Sequence, residues 1–374
     1  MTALEELLRV PNRTENPYIK EWKGNGGRVI GFTCSYVPEE VIHASGLLPY
    51  RIEARDCRDT DLADVYMHRF NCTYARCILQ EGLSNRYDFL DGICLLNGCE
   101  QIRRLYEIWN AERNTDYMYM VTIPHSIYDE GLAWYRDELF NFKEKLTSDF
   151  AVRCSKQDLS ESIKVYNETR RLIMDLYKLR QSENVPISGS DALRIVLSAY
   201  IMPKETYNML LREALGELRS REGKDEYKVR LLVGGSAVDS PELFEIIESL
   251  GGLIVADTLC FWSRQFDHMV AEDGDPLDAL ARTYYSHNPC PRMMNEYKNR
   301  LKFTEDAARA ASVDGVILQK IVFCDNHAVD STMLADDLEA KGIPTLVMER
   351  DHMLTDTGRL RTRVEAFMER IARR

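Results

Sequence analysis

Cysteines stand where several apolar stretches of this sequence end, and thiolates in such places can hold metal. Four of them follow, directly or within three residues, a run typical of a buried strand: 28–33 with Cys34, 92–97 with Cys99, 252–257 with Cys260, and 315–323 with Cys324. A purely structural cysteine can lie anywhere along a strand, so four in this position call for a joint explanation. Because open parallel sheets bind ligands outside the carboxyl ends of their strands, we predict an iron–sulfur site built from strand ends.

Two sets of three cysteines are candidates for that site. The first is Cys72, Cys99 and Cys324, with Cys72 expected in the opening turn of a helix, where free N–H groups stabilise a thiolate. Three thiolates are enough for a [4Fe–4S] cluster whose fourth iron stays open. The second set is Cys34, Cys260 and Cys290, the last of them between Pro289 and Pro291. Spacing alone does not separate either set from unrelated core cysteines.

The remaining cysteines offer little chemistry. We expect ordinary packing roles for Cys57, Cys77, Cys94 and Cys154, with Cys94 inside a strand and Cys154 inside a helix. No CxxC pair and no closely spaced histidine pair indicates zinc. His327, three residues after Cys324, could reach the predicted site and donate a proton or a hydrogen bond.

Composition and charge exclude several classes of function. A chain of 374 residues with 45% hydrophobic and 29% charged residues is typical of a globular protein of two or three domains. The net charge of −12 argues against a general nucleic-acid surface. No apolar run approaches a membrane span and the acidic start MTALEELLRV lacks a signal-peptide pattern, so we expect a cytoplasmic protein with reduced thiols. Neither GxGxxG nor GxxxxGK[ST] occurs, so we expect no nucleotide site in this chain.

Strand and helix patterns alternate in two parts of the chain, as in parallel βαβ units. We therefore predict an α/β protein with a first domain over 1–125 and a second over 227–374, each a flavodoxin-like parallel sheet. Residues 126–226 contain only long amphipathic helical patterns and should form a helical section that joins the two. The cluster should lie at the carboxyl ends of the strands.

Several segments, in order along nearly the whole chain, are similar to one protein family. They are GFTCSYVPEEVIHASGLLPYRI (31–52), RFNCTYARC (69–77), NGCEQIRRLYEIW (97–109), SIKVYNETRRLIMDLYKLR (162–180), DPLDALARTYYSHNPCPRM (275–293), FCDNHAVDS (323–331) and TDTGRLRTRVEAFMERI (355–371). The chain resembles the iron–sulfur subunits of the 2-hydroxyacyl-CoA dehydratases and the ATP-dependent benzoyl-CoA reductases. The resemblance implies that Cys72, Cys99 and Cys324 hold the cluster and that Ser35 lies near the thioester of an acyl-CoA substrate.

The resemblance also implies partners and a reaction. A related iron–sulfur subunit should pair with this chain, and a separate ATP-hydrolysing activator with its own cluster should supply electrons of very low potential. We favour a reductase of the benzoyl-CoA type, with a 2-hydroxyacyl-CoA dehydratase subunit as the alternative. A non-catalytic electron-relay subunit is a further alternative. Cys34, Cys260 and Cys290 also resemble the extra ligands of relatives that carry a double-cubane [8Fe–9S] cluster on six cysteines, which would favour a reductase of small molecules.

Overall fold

Two four-stranded sheets, with every strand parallel to its neighbours, form the framework of the protein. The computed structural model describes residues 1–113, 115–224, 226–287 and 290–373. The first sheet contains β1 (Val29–Phe32), β2 (Leu48–Arg51), β3 (Gly92–Leu96) and β4 (Tyr117–Val121), and the second contains β5 (Val229–Gly235), β6 (Gly252–Thr258), β7 (Gly315–Ile321) and β8 (Thr345–Arg350). The strand orders are β2-β1-β3-β4 and β6-β5-β7-β8, which is the flavodoxin-like arrangement. The predicted α/β class with two parallel sheets is confirmed.

Helices follow the strands and fill the middle of the chain. They are α1 (Ala3–Arg9), α2 (Pro17–Gly24), α3 (Glu39–Ala44), α4 (Thr73–Leu83), α5 (Glu100–Glu112), α6 (Asp129–Asp149), α7 (Lys156–Gln181), α8 (Gly189–Ser198), α9 (Lys204–Arg219), α10 (Glu242–Ser249), α11 (Ser263–Phe266), α12 (Pro276–Ser286), α13 (Tyr297–Ala310), α14 (Asp325–Ala340) and α15 (Thr357–Ala372). Helices α6 to α9 occupy the section in which the sequence predicted helices without strands. The domain boundaries themselves stay predictions.

The central strands are buried from end to end because helices cover both faces of each sheet. All five residues of β3 and all four residues of β1 are buried, which explains why these stretches show no polar alternation. The edge strand β4 is half-buried in its middle three residues. Burial of the central strands holds their carboxyl ends at a fixed edge.

Buried ion pairs join the helical section to the first sheet region. Arg170 of α7 bonds Glu40 of α3 at 2.6 Å, and Lys204 at the start of α9 bonds Glu39 at 3.0 Å. Burial raises the pKa of Glu40, but Arg170 and the Tyr284 hydroxyl outweigh it and the net shift is downward. Helix α3 follows the turn that carries Cys34, so these pairs hold that turn against the helices.

The helices α4 and α5, which follow Cys72 and Cys99, pack closely at one point. Gly82 of α4 lies against the buried ring of Trp109 of α5, and a Cβ atom at Gly82 would lie 2.4 Å from the ring atom Cζ3. A glycine here permits the close approach of the two helices at the ends away from their cysteines.

Two glycines, Gly234 and Gly235, end strand β5. Gly235 has a φ of 111°, and a Cβ atom there would meet the backbone oxygen of Gln319. The next residue, Ser236, donates its N–H to that same oxygen at 2.9 Å. The N–H of Ser236 is therefore used in a bond to β7. No helix of the described ranges is long and apolar enough to cross a bilayer.

Replacing Gly82 by alanine should destabilise the protein by about 1–3 kcal/mol, because the added methyl group has no room beside Trp109. The matched control is Gly216→Ala in α9, where nothing lies within 4 Å of the added Cβ. That control should be neutral or stabilising by up to about 1 kcal/mol through helix propensity. Urea unfolding of both variants measures the difference. Equal effects would contradict the close-packing interpretation.

Candidate functional site

A cavity of about 140 Å³ lies where the carboxyl ends of strands from both sheets meet. The strand order reverses between β1 and β3 in one sheet and between β5 and β7 in the other, and such switch points are where doubly wound sheets bind ligands. Six cysteines line this cavity: Cys34, Cys72, Cys99, Cys260, Cys290 and Cys324. The structure thus brings together both sets of cysteines that the sequence singled out.

The first set shares one local geometry. Cys72, Cys99 and Cys324 are the N-cap residues of α4, α5 and α14. Cys72 therefore precedes its helix rather than lying in the first turn. None of the three side chains makes a capping hydrogen bond of normal geometry, yet first-turn N–H groups lie near each sulfur and favour its thiolate. Three helix N-termini with available donors surround the cavity, an arrangement suited to an anion.

Cys72 and Cys324 share a proton. The hydrogen bond from the Cys72 thiol is the largest contribution to the pKa of Cys324, which is lowered to about 6, and the Ser236 hydroxyl adds to it against the effect of burial. The same hydrogen bond, with burial, raises the pKa of Cys72 well above its ordinary value. Burial raises the pKa of Cys99 to about 12. Cys324 is therefore a thiolate at neutral pH, whereas Cys72 and Cys99 must lose protons to become ligands.

Gln101 links the three N-termini that carry these cysteines. Its Oε1 accepts the N–H of Cys72 at 3.1 Å, and its Nε2 donates to Asp325 Oδ2 at 3.3 Å. It belongs to α5, two residues after Cys99, and Asp325 is the first residue of α14. One side chain thus joins α4, α5 and α14 at the cavity.

The second set lies toward the helical section. Cys34 follows β1, Cys260 follows β6 and Cys290 follows α12. Burial raises the pKa of Cys34 to about 11, and both other thiols lie near enough to add to the shift. Pro289, expected to hold Cys290 together with Pro291, lies outside the described residues.

Two further predicted site residues line the cavity. Ser35 donates its hydroxyl to the carbonyl oxygen of Cys260 and accepts from Arg51 at 3.2 Å, so its hydrogen is already in use. Its role toward a thioester stays a prediction. The imidazole of His327 is buried, and burial lowers its pKa to about 3. At neutral pH it is uncharged, so it can donate a hydrogen bond but is a weak source of protons.

The other cysteines lie away from the cavity. Cys94 is in β3 as predicted, and the buried thiols of Cys57 and Cys77 contact each other. The prediction for Cys154 is wrong, because it lies in the connection between α6 and α7. Ser155 is the N-cap of α7 and forms a capping box with Asp158, so this helix begins after Cys154.

The thiols around the cavity suit a cluster rather than a single ion. Within the described ranges no three His, Cys, Asp or Glu side chains are close enough together to hold one metal ion. A four-iron core presents a separate iron to each thiolate, so its ligands are spread more widely. Six cysteines and three helix N-termini around one cavity fit such an anionic, thiolate-bound core.

Comparison with known proteins decides the family. The family described as 2-hydroxyglutaryl-CoA dehydratase, D-component, matches residues 34–371. The chain belongs to this family. It is 28% identical to a benzoyl-CoA reductase subunit of Thauera aromatica over 87% of this chain and 86% of that one. It is 26% identical to the (R)-phenyllactyl-CoA dehydratase beta subunit of Clostridium sporogenes over 95% and 96%. It is also 26% identical to the beta subunit of (R)-2-hydroxyglutaryl-CoA dehydratase of Acidaminococcus fermentans over 99% of both chains.

These matches confirm the family that the sequence segments indicated. Enzymes of this family act on CoA thioesters and its members are iron–sulfur proteins. Beta subunits of the family work with partner subunits and an ATP-dependent activator. At 28% identity the matches do not choose between a reductase and a dehydratase.

Sequence reasoning missed several residues around the cavity. Gln101, Arg51 and Arg264 belong to no motif, although Arg51 ends β2. The strand-end argument that selected the cysteines could have selected Arg51 as well. Arg264 and Gln101 follow Cys260 and Cys99 within one helical turn, and only the folded chain shows that Arg264 lies beside Cys290 and that Gln101 bonds the N–H of Cys72.

In the iron-free protein at pH 7, iodoacetamide should modify Cys324 at least about tenfold faster than Cys34 or Cys99, because only Cys324 is largely a thiolate. Its rate should rise with pH through a midpoint near 6. Cys72→Ala removes the donated hydrogen bond and should move that midpoint upward. Peptide mapping by mass spectrometry gives each rate, with half-buried Cys154 as the control. Equal rates at the three cavity cysteines would contradict the shared-proton geometry.

Proposed function

We propose that this chain is an iron–sulfur subunit of an ATP-coupled reductase that passes single electrons of low potential to a CoA thioester. The observation that carries the proposal is the convergence of Cys72, Cys99 and Cys324, each at a helix N-terminus, on one cavity between two sheets. We assign these three residues as the ligands of a [4Fe–4S] cluster. When bound, the cluster supplies reversible one-electron transfer.

The protein's own groups hold that cluster and stabilise its negative charge. The first-turn N–H groups of α4, α5 and α14 favour negative charge at the three sulfurs. Gln101 fixes the relative positions of the three N-termini. The neutral imidazole of His327 is placed to donate a hydrogen bond toward the cavity.

For the acyl group we favour the benzoyl-CoA type. The support is the similarity to the benzoyl-CoA reductase subunit of Thauera aromatica, at 28% identity over 87% of this chain. The dehydratase relatives, at 26% identity, support a 2-hydroxyacyl-CoA substrate as the alternative. We assign ATP hydrolysis and the first electron transfer to a separate activator, in agreement with the lack of a P-loop motif in this sequence. A related iron–sulfur subunit completes the enzyme.

One observation favours a second candidate function. Cys34, Cys260 and Cys290 line the same cavity as the first three cysteines. Six thiolates around one cavity can hold a double-cubane [8Fe–9S] cluster, and a chain with that cluster would be an ATP-coupled reductase of small molecules. A chain that holds a cluster but needs a partner for catalysis would instead be an electron relay.

Metal content separates the two clusters. Anaerobically purified protein should contain about four irons per chain with a single cubane and about eight with a double cubane. Cys324→Ala should lose most of the iron in either case. Cys260→Ala should keep its four irons in the first case and drop from eight toward four in the second. Cys154→Ala, outside the cavity, is the control and should match the wild type.

Protein that holds only zinc after anaerobic purification, and takes up no iron and sulfide on reconstitution, would contradict both candidates. An iron content that stays at the wild-type value in Cys72→Ala, Cys99→Ala and Cys324→Ala would contradict the ligand assignment.

Activity assays separate the substrates. With an ATP-dependent activator, a related subunit and a strong reductant, we expect ATP-dependent reduction of benzoyl-CoA. Release of water from a 2-hydroxyacyl-CoA instead would favour the dehydratase. Reduction of small molecules, with no reaction of either thioester, would favour the double-cubane enzyme. Assays without the related subunit show whether this chain is a catalyst or a relay. Turnover without ATP would contradict the proposed coupling.

A further inference from the structure

Buried arginines in this protein differ in how their charge is balanced. Three of them pair with carboxylates: Arg76 with Asp64, Arg170 with Glu40 at 2.6 Å and Arg180 with Asp257 at 3.5 Å. Two others, Arg51 and Arg264, are only 1% and 6% exposed and form no salt bridge within the described part of the chain. Burial of an unpaired charge is costly, so these two require another explanation.

Main-chain carbonyl groups take the place of a carboxylate at two further buried arginines. Arg292 donates to the carbonyl oxygens of residues 97, 98, 123 and 124. Arg350 donates to Gln319 Oε1 and to the carbonyl oxygens of residues 237 and 351. The contacts of Arg51 and Arg264 differ from these because they include cysteine sulfurs.

Arg51 contacts the second set of cysteines. Its Nη2 lies 3.8 Å from the Cys260 sulfur and 3.2 Å from Ser35 Oγ, and its Nη1 donates to the Cys260 carbonyl oxygen at 3.2 Å. The guanidinium lies over the ring of Phe261, 3.7 Å from its centroid. Neutral groups thus surround it, and the thiols are the neighbours that can carry a full negative charge when they ligate metal.

Arg264 approaches the same set from the other side. It lines the cavity together with Cys290, and its guanidinium lies near enough to the Cys290 sulfur to interact with it electrostatically. The nearby carboxyl of Asp267 is not its salt-bridge partner; burial raises the pKa of that carboxyl to about 7 although Arg264 opposes the shift. Asp267 therefore carries only part of a negative charge at neutral pH.

These contacts assign a role to both arginines. We infer that Arg51 and Arg264 are the counter-ions of an anionic iron–sulfur cluster held by Cys34, Cys260 and Cys290, and that they raise its reduction potential. The inference rests on the proposed function, because it takes the cavity to hold a cluster. It goes beyond it by making the second set of cysteines part of the site. Three thiolates and a sulfide-containing core supply the negative charge that the two buried guanidinium groups lack.

The positive charge of the two arginines determines the direction in which they shift the reduction potential of the cluster. Reduction adds one electron to the cluster, and a buried cation next to it stabilises the reduced state more than the oxidised state. Removal of either cation therefore makes the cluster harder to reduce. Lysine in place of arginine keeps the positive charge and should keep most of the effect.

The experiment compares Arg51→Met and Arg264→Gln with Arg51→Lys, Arg264→Lys and wild type, all as full-length chains reconstituted anaerobically with iron and sulfide. Iron and sulfide content and a redox titration followed by EPR are measured. In the neutral variants Arg51→Met and Arg264→Gln, we expect the equilibrium constant for one-electron reduction of the cluster to fall by about tenfold or more. This fall is equivalent to a reduction potential about 59 mV more negative. The control Arg282→Met removes an exposed cation from α12 and should leave the potential unchanged.

Loss of iron loading in the neutral variants that lysine restores also supports the inference, because it shows that the charge is needed to hold the cluster. Unchanged potentials and loading in both neutral variants overturn it. Lysine variants that behave like the neutral ones also overturn it, since charge is then not what matters. A wild-type chain that binds no iron overturns the proposed function together with the inference, whereas iron-loaded wild type with unshifted variants overturns the inference alone.

Discussion

Positive potential concentrated around one cavity is the constraint on which the rest of this structure depends. Three helix N-termini direct free N–H groups toward Cys72, Cys99 and Cys324, and buried guanidinium groups lie beside Cys260 and Cys290. Backbone dipoles and buried cations stabilise each other poorly, so the arrangement needs an anion at its centre. The thiolate of Cys324 provides only part of that negative charge. Cysteines that lose their protons to the proposed cluster would provide the rest, which would connect the fold to that cofactor.

The duplicated topology explains why both sheets are needed. Each has the strand order in which a switch point opens beside its first strand, and each contributes cysteines from the neighbouring strand ends. Cys34 and Cys99 come from the first sheet region, and Cys260 and Cys324 from the second. Neither half holds a complete set. The buried pairs between α3 and the helical section therefore serve the site, because they hold the turn that carries Cys34 in place.

Much of the fold and of the candidate site could be predicted from the sequence, because the signals for them lie in short stretches of the chain. Apolar runs such as 92–97 and 315–323 predict buried parallel strands without reference to the rest of the chain, and each of the four runs named from the sequence contains a strand. Four of the six cavity cysteines were found because they follow such runs directly or within three residues. Contacts such as those of Arg51 and Gln101 could not be predicted, because they join positions up to 209 and 224 residues apart. The capping box of Ser155 and Asp158 is also a local signal, and it places Cys154 before the start of α7.

The arginines bear on whether the second set of cysteines is part of the site. In a protein that used only Cys72, Cys99 and Cys324, the region around Cys260 and Cys290 would be ordinary core. A buried cation there would lower the stability of the fold, because no anion would compensate for its desolvation. For Arg170, buried among helices, this same chain supplies the carboxylate of Glu40. At Arg51 it supplies instead a hydroxyl, a carbonyl and a thiol. Those partners balance the charge of Arg51 fully once the thiol is ionised, and ligation to a metal ionises a thiol by displacing its proton.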